Sequence, residues 1–293
     1  MLNIAATVVA IICLYISTIA PALSDPFQEG LQLVQHNQLN AAVQLFTQAI
    51  EQGDRQAVAY SNRCLVRLQL EDYSAAIADC SEALRQSPSR PSISSEVYLN
   101  RGLAHYRLHH YDDAIADYNR LLFLNRQDFR GYYNRGLSKV ALRKLYSALE
   151  DFKQAERLSR QEPSSIRAKI FNDWGLALFL QQQWPIAQSK FERAIRLTSQ
   201  AEGYYFNRGC TCQQLKDYDC ALSDFSRAVQ LNDQYADAYV IRGTSHALSG
   251  EIRMAIADWN RAATLFANQD NPLAQRQIQE LVEQVADSTG TIA

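Results

Sequence analysis

Small and aromatic residues recur along this chain at a fixed long period. One small residue marks each unit: Gly30, Cys64, Gly102, Gly136, Gly175, Gly209 and Gly243. A second follows at Ala42, Ala76, Ala114, Ala148, Ala187, Ala221 and Ala255. Next comes an aromatic or a cysteine, at Phe46, Cys80, Tyr118, Phe152, Phe191, Phe225 and Trp259. A third small or apolar set closes each unit, at Ala49, Ala83, Leu121, Ala155, Ala194, Ala228 and Ala262. The spacings within every unit are the same. Successive anchors are 34 residues apart for Gly30 to Cys64, Gly102 to Gly136, Gly175 to Gly209 and Gly209 to Gly243. The other two steps are longer, and their additional residues fall near Pro88–Pro91 and Pro163–Ser165. A loop between helices is expected at both places.

The pattern predicts seven pairs of antiparallel helices, over 23–56, 57–90, 95–128, 129–162, 168–201, 202–235 and 236–269. Small residues recur where the two helices must approach closely, and each large ring fills the gap beside them. Short turns such as Leu70-Glu71-Asp72-Tyr73, His109-His110-Tyr111 and Lys216-Asp217-Tyr218 join the helices of a pair. One pair cannot bury its apolar face alone, so neighbours must stack. After the last pair, Asn271-Pro272 is a helix start signal. Ala274, Ile278, Leu281, Val282 and Val285 then form one apolar stripe. This predicts a capping helix over 271–286 that covers the open edge of the last unit, with 287–293 as a frayed tail.

The segment Tyr205-Phe-Asn-Arg-Gly209, followed by Asp217-Tyr218, Ala221-Leu222, Asp224-Phe225 and Ala228, closely resembles the tetratricopeptide repeat. The resemblance spans roughly Leu23 to Gln269. It implies an all-α fold, a right-handed α-solenoid of stacked antiparallel helix pairs closed by the capping helix. It also implies a non-enzymatic scaffold that binds a protein or peptide segment in a concave groove. The first unit departs most, with Pro26 and Phe27 at its opening, and the fifth reads Asn172-Asp173-Trp174-Gly175.

Seven copies in one chain allow an internal comparison. The residue before the anchor is Arg63, Arg101, Arg135, Arg208 or Arg242 in five units. In the same five units, the residue fifteen after the anchor is Asp79, Asp117, Asp151, Asp224 or Asp258. The other two units lose both together, as Glu29 with Leu45 and Trp174 with Lys190. Paired loss of this kind predicts structural ion pairs, for which a planar guanidinium is well suited.

Two residues before the anchor stand Asn62, Asn100, Asn134 and Asn207, with Ile241 in the last unit. Ile241 keeps company with Arg242 and Asp258, so the ion pair does not require the asparagine. Asn offers donors and an acceptor to the main chain of a bound peptide. In the family an asparagine ladder of this kind does that work, and the resemblance extends the role to these four positions. The alternative is an Asn that caps or bridges the helix pair. On the same helical face stand Tyr106, Tyr133 and Phe206, with Leu99, Leu103, Leu137, Leu176 and Phe179. Arg130 and Lys169 lie at helix starts. A groove of this kind suits a partner segment with apolar side chains. Family members that clamp acidic C-termini need Lys and Asn where this chain has Phe27 and Leu31, and Lys and Arg where it has Glu96 and Asn100. That ligand is not expected here.

Composition narrows the function class. The 293 residues carry a formal net charge of −2. Such a balance offers no field for nucleic acid and no polybasic segment for an anionic membrane. The five histidines form no HExxH or zinc spacing, and no phosphate loop or nucleophile elbow occurs, so neither a metal, a cofactor nor an enzyme is expected. Ile4 to Ile19 is free of charge, and Ala22 and Ser24 suit signal-peptidase cleavage before Asp25. The reading is a signal peptide over 1–24 and an extracytoplasmic, periplasm-like or lumenal protein. Alternatives are an uncleaved membrane anchor, which would suit an assembly factor for a membrane complex, and a cytoplasmic protein with a buried first helix. Cys13 would leave with a signal peptide. An oxidising compartment permits a disulfide between Cys64 and Cys80, against the alternative of two buried thiols.

Overall fold

The computed structural model describes residues 25–86 and 91–289. The signal or anchor segment, the residues just before Pro91 and the last part of the tail lie outside them. The chain divides into two units, one ending at Leu124 and the other beginning at Asn125.

The first unit holds three helix pairs: α1 (Pro26–Gln35) with α2 (Leu39–Glu51), α3 (Gln56–Gln69) with α4 (Tyr73–Gln86), and α5 (Pro91–Arg107) with α6 (Tyr111–Leu124). The second holds four pairs and a last helix. They are α7 (Phe129–Ala141) with α8 (Leu145–Leu158), α9 (Ser164–Leu180) with α10 (Trp184–Leu197), α11 (Glu202–Gln214) with α12 (Tyr218–Leu231), α13 (Ala236–Leu248) with α14 (Ile252–Asn268), and α15 (Pro272–Thr289). No strand occurs among the described residues.

Each first helix ends the same way. The residue seven after the anchor takes a left-handed conformation: Asn37, Glu71, His109, Arg143, Gln182, Lys216 and Gly250. In the first pair Asn37 N–H donates to the Val34 carbonyl and Gln38 N–H to the Leu33 carbonyl. Two such bonds close the helix end and turn the chain back within three residues.

The anchors show why the pairs pack closely. A Cβ at Gly209 would lie 2.8 Å from the Phe225 ring, and one at Gly175 2.7 Å from the Phe191 ring. In the second pair the anchor does carry a Cβ, and the ring is gone. Cys64 and Cys80 fill that space instead, joined as a disulfide with Cα atoms 5.4 Å apart. Phe46, Tyr118, Phe152, Phe191 and Phe225 are wholly buried.

Three helix boundaries differ from the expected ones. The additional residues of the third and fifth units do not all go into loops. They lengthen α5 and α9 to 17 residues, where α3 and α7 have 14 and 13. Pro91 opens α5 and Pro163 precedes α9, positions where proline starts a helix without losing an internal hydrogen bond. The last helix also runs on to Thr289, past the boundary expected at 286. Ala274 and Ile278 from α15 pack on Ala262, Leu265 and Phe266, and so cover the edge of the last pair.

Within each unit, successive first helices touch: α3 with α5, α7 with α9, α9 with α11, and α11 with α13. Successive second helices stand farther apart. The first helices therefore line the inner curve of each unit.

Candidate functional site

The five arginines lie behind that inner face. Arg63 donates from Nε and Nη2 to Asp79 at 2.8 and 2.6 Å. Arg101 holds Asp117 at 2.9 and 2.7 Å, and Arg135 holds Asp151 at 3.0 and 2.6 Å. Arg208 holds Asp224 at 2.7 Å twice, and Arg242 holds Asp258 at 2.7 and 2.6 Å. Every pair joins the two helices of one unit, and each Asp is buried. Three arginines also reach back to a hydroxyl of the preceding pair: Arg63 to Thr47, Arg101 to Ser81 and Arg242 to Ser226. Each guanidinium lies near a tyrosine ring three residues earlier: Tyr60, Tyr98, Tyr132, Tyr205 and Tyr239. Sequence reading missed this recurring tyrosine, although its spacing is as regular as that of the aspartates.

The asparagines are half-buried on the first helices, and they are not equivalent. In the first unit, Asn62 donates to the Val58 carbonyl of its own helix at 2.8 Å. Asn100 has no side-chain hydrogen bond among the described residues. Tyr106 packs beside Leu99, Tyr118 and Leu121 and stands edge-on to Tyr111.

In the second unit, Asn134 donates to the Arg130 carbonyl at 2.9 Å. The acceptor oxygens of Asn62 and Asn134 have no partner among the described residues. Asn207 corrects the expectation of a free amide, because its Nδ2 donates to Asn172 Oδ1 at 2.8 Å. Asn172 in turn donates to Asp173 Oδ1 at 3.0 Å, and the Tyr133 hydroxyl donates to Asp173 Oδ2 at 2.5 Å. These four residues form one polar chain across α7, α9 and α11. Asp173 occupies the asparagine position of the fifth unit. Burial pushes its carboxyl above the usual range, against the opposing pull of Tyr133, Asn172 and nearby Lys169.

Tyr133 thus belongs to the contact between successive helix pairs of the second unit as much as to an open groove. Its ring also packs on Phe152, with centroids 6.2 Å apart. Phe206 sits between Phe225 and Tyr235, at 5.8 and 5.0 Å. Arg130 is engaged with Asp128, whose carboxylate caps α7 and accepts from its guanidinium at 2.9 and 2.7 Å. Leu176 on α9 is exposed.

A second disulfide, unforeseen from the sequence, joins Cys212 on α11 to Cys220 on α12. The signal was the spacing of eight, which spans the turn between helices. Cys210 is a free thiol, pushed up to about 12 by burial. His105, His110 and Asp113 bring one donor atom each within 4.8 Å of one another, and so do Cys212, Cys220 and Asp224. The cysteines of the second group are bonded to each other.

Models of the tetratricopeptide repeat match residues 27–91, 95–128 and 203–235. A tetratricopeptide repeat protein from Parabacteroides merdae shares 17% identity over 89% of this chain and 97% of its own, with a TM-score of 0.63. YrrB, described as having an unusual peptide-binding site, shares 20% identity over 68% of this chain and 97% of its own, with a TM-score of 0.53. MamA from Desulfovibrio magneticus shares 15% identity over 60% of this chain and 97% of its own, with a TM-score of 0.56. Likeness at these identities is a likeness of fold.

Proposed function

This chain belongs to the tetratricopeptide repeat family, and we propose that it is a non-enzymatic scaffold holding a protein or peptide segment on its first-helix faces. The carrying observation is the pinned asparagine. Asn62 and Asn134 each spend Nδ2 on their own helix, which fixes the amide and leaves an acceptor available to a peptide N–H. First helices also carry Tyr106 in the first unit and Tyr133, Phe206 and Leu176 in the second, apolar side chains suited to a partner with apolar side chains. A preformed helical surface also limits the ordering cost of binding. The peptide-binding site of YrrB supports the same reading.

We place the protein in an oxidising, extracytoplasmic compartment. Two disulfides, Cys64 to Cys80 and Cys212 to Cys220, support that placement.

The test is a displayed peptide library selected on the full chain, followed by calorimetry of the best peptide against Asn62→Ala and Asn134→Ala. Loss of one hydrogen bond to the peptide main chain costs about 1 kcal/mol, roughly fivefold in Kd. Each variant should keep its helical circular dichroism. Unchanged affinity in both would overturn the ladder reading.

A further inference from the structure

The fifth unit lacks the arginine–aspartate pair, and what replaces that neutral pair leaves a net positive charge. Trp174 stands where the arginine should be, and Lys190 where the aspartate should be. The Lys190 ammonium lies 3.7 Å from the centre of the Trp174 ring. The pair is thus kept as a cation over an aromatic face. The negative charge that neutralises the cation in five other units is gone.

The consequence is a cleft of about 300 Å³ lined by Glu156, Phe171, Trp174, Ser189, Lys190, Arg193 and Arg196. It lies between the second helices α8 and α10, over α9. Phe171 and Trp174 stack in parallel, 9° apart, and form an aromatic floor. Lys190 makes no hydrogen bond or ion pair among the described residues. Arg193 lies 5.7 Å from the Phe171 ring and has no carboxylate partner among them either. Arg196 is held by Glu192 at 2.6 Å. Glu156 is the one carboxylate in the lining, and it does not reach Lys190.

The neighbouring cleft, between α10 and α12, is an internal control. It is lined by Arg208 and Glu192 among others, and there Arg208 is fully engaged by Asp224. The two clefts are built on one plan, and of the two only the first presents a lysine and an arginine, Lys190 and Arg193, with no ion pair among the described residues.

We propose that the cleft of the fifth unit is an oxyanion-binding site, which takes a carboxylate or phosphate group between Lys190, Arg193 and Ser189, with the body of the ligand on Trp174 and Phe171. Burial depresses the Lys190 ammonium, against the opposing pull of the nearby Glu156 carboxylate and with the repulsion of Arg193 added, and a bound anion would relieve that cost. The guanidinium of Arg193 offers two parallel donors to an oxyanion, which an ammonium alone does not. The site lies away from the pinned asparagines and does not depend on the peptide reading above.

The experiment is calorimetric titration of the full chain with two probes, inorganic phosphate and N-acetyl-tetraglutamate. Saturable binding of either supports the site. Phosphate alone identifies a free or ester phosphate as the ligand, and the peptide alone identifies an acidic segment. The double variant Trp174→Arg with Lys190→Asp rebuilds the ion pair used in five other units, so it should fold. It should lose at least about tenfold in affinity, the equivalent of about 1.4 kcal/mol. Lys190→Met keeps the stem against Trp174 and removes only the charge, and the same loss is expected. Binding of neither probe, or an unchanged affinity in Lys190→Met, overturns the proposal.

Discussion

At the scale of single residues, close approach and paired charge hold each unit together. Gly209 touches the Phe225 ring, whereas nothing lies within 4 Å of a Cβ built at Gly203 in the same helix. Alanine is the better helix former at both places by about 1 kcal/mol. Gly203→Ala should therefore raise stability by up to about 1 kcal/mol. Gly209→Ala should lower it by about 1–3 kcal/mol, because overpacking outweighs propensity. Urea unfolding of the two variants checks both signs. Asp173 gives a pH test. Its folded carboxyl is raised, so its contribution is present below the ordinary carboxylate range and lost as pH rises through the folded value. Asp173→Asn does not ionise. Its melting temperature, relative to wild type, should be higher at pH 7 than at pH 4. An equal difference at both pH values contradicts the burial of this carboxylate. The arginine–aspartate pairs were legible in the sequence because both ends disappear together in the first and fifth units. The chain from Tyr133 through Asp173 and Asn172 to Asn207 was not. It depends on the register between successive first helices, and it needs Asn172 and Asp173 of the fifth repeat, where most of the other repeats have an apolar residue and an asparagine.

At the scale of elements, the repeat fixes where helices begin and turn more firmly than how long they run. The seven left-handed turn residues fall at one offset, and six of them are not glycine. The closing backbone hydrogen bonds and the packing of each pair hold six L-residues in that conformation, which each would otherwise avoid by about 1–2 kcal/mol. Helix length was less legible. Proline at the start of α5 and just before α9 reads equally as a loop mark or a helix start, and in the structure it starts the helix both times. Cys64 and Cys80 were readable as a pair because they occupy the anchor and ring positions together. Cys212 and Cys220 hold no repeat position that marks a pair. Each bond ties a first helix to its second helix. Chain-entropy arguments give about 2–4 kcal/mol per bridge. Reduction should lower the melting temperature. Non-reducing peptide maps should recover both linked pairs, with Cys210 alkylated only after unfolding. Recovery of unlinked Cys64 and Cys80 from the native chain contradicts the oxidised state.

At the scale of the molecule, the two units share one plan. A ring or, in the second pair, a disulfide lies between the helices of each pair, joined in five of the seven by an arginine–aspartate pair, and the first helices face the inner curve. The asparagine column was visible in the sequence as four equal residues, yet the structure makes them unequal. Asn62 and Asn134 are pinned with an open acceptor, Asn207 is bonded to Asn172 of the preceding helix pair, and Asn100 has no bond among the described residues. A binding surface of this kind is therefore local to each unit's inner face. The most direct test is photocrosslinking of a selected peptide to chains carrying a photoreactive phenylalanine analogue at single positions. Leu176 lies on a first helix and Tyr146 on a second helix, and both are exposed. The account predicts capture from position 176 and none from position 146. Capture from position 146 with none from position 176 would place the partner on the opposite face and contradict it.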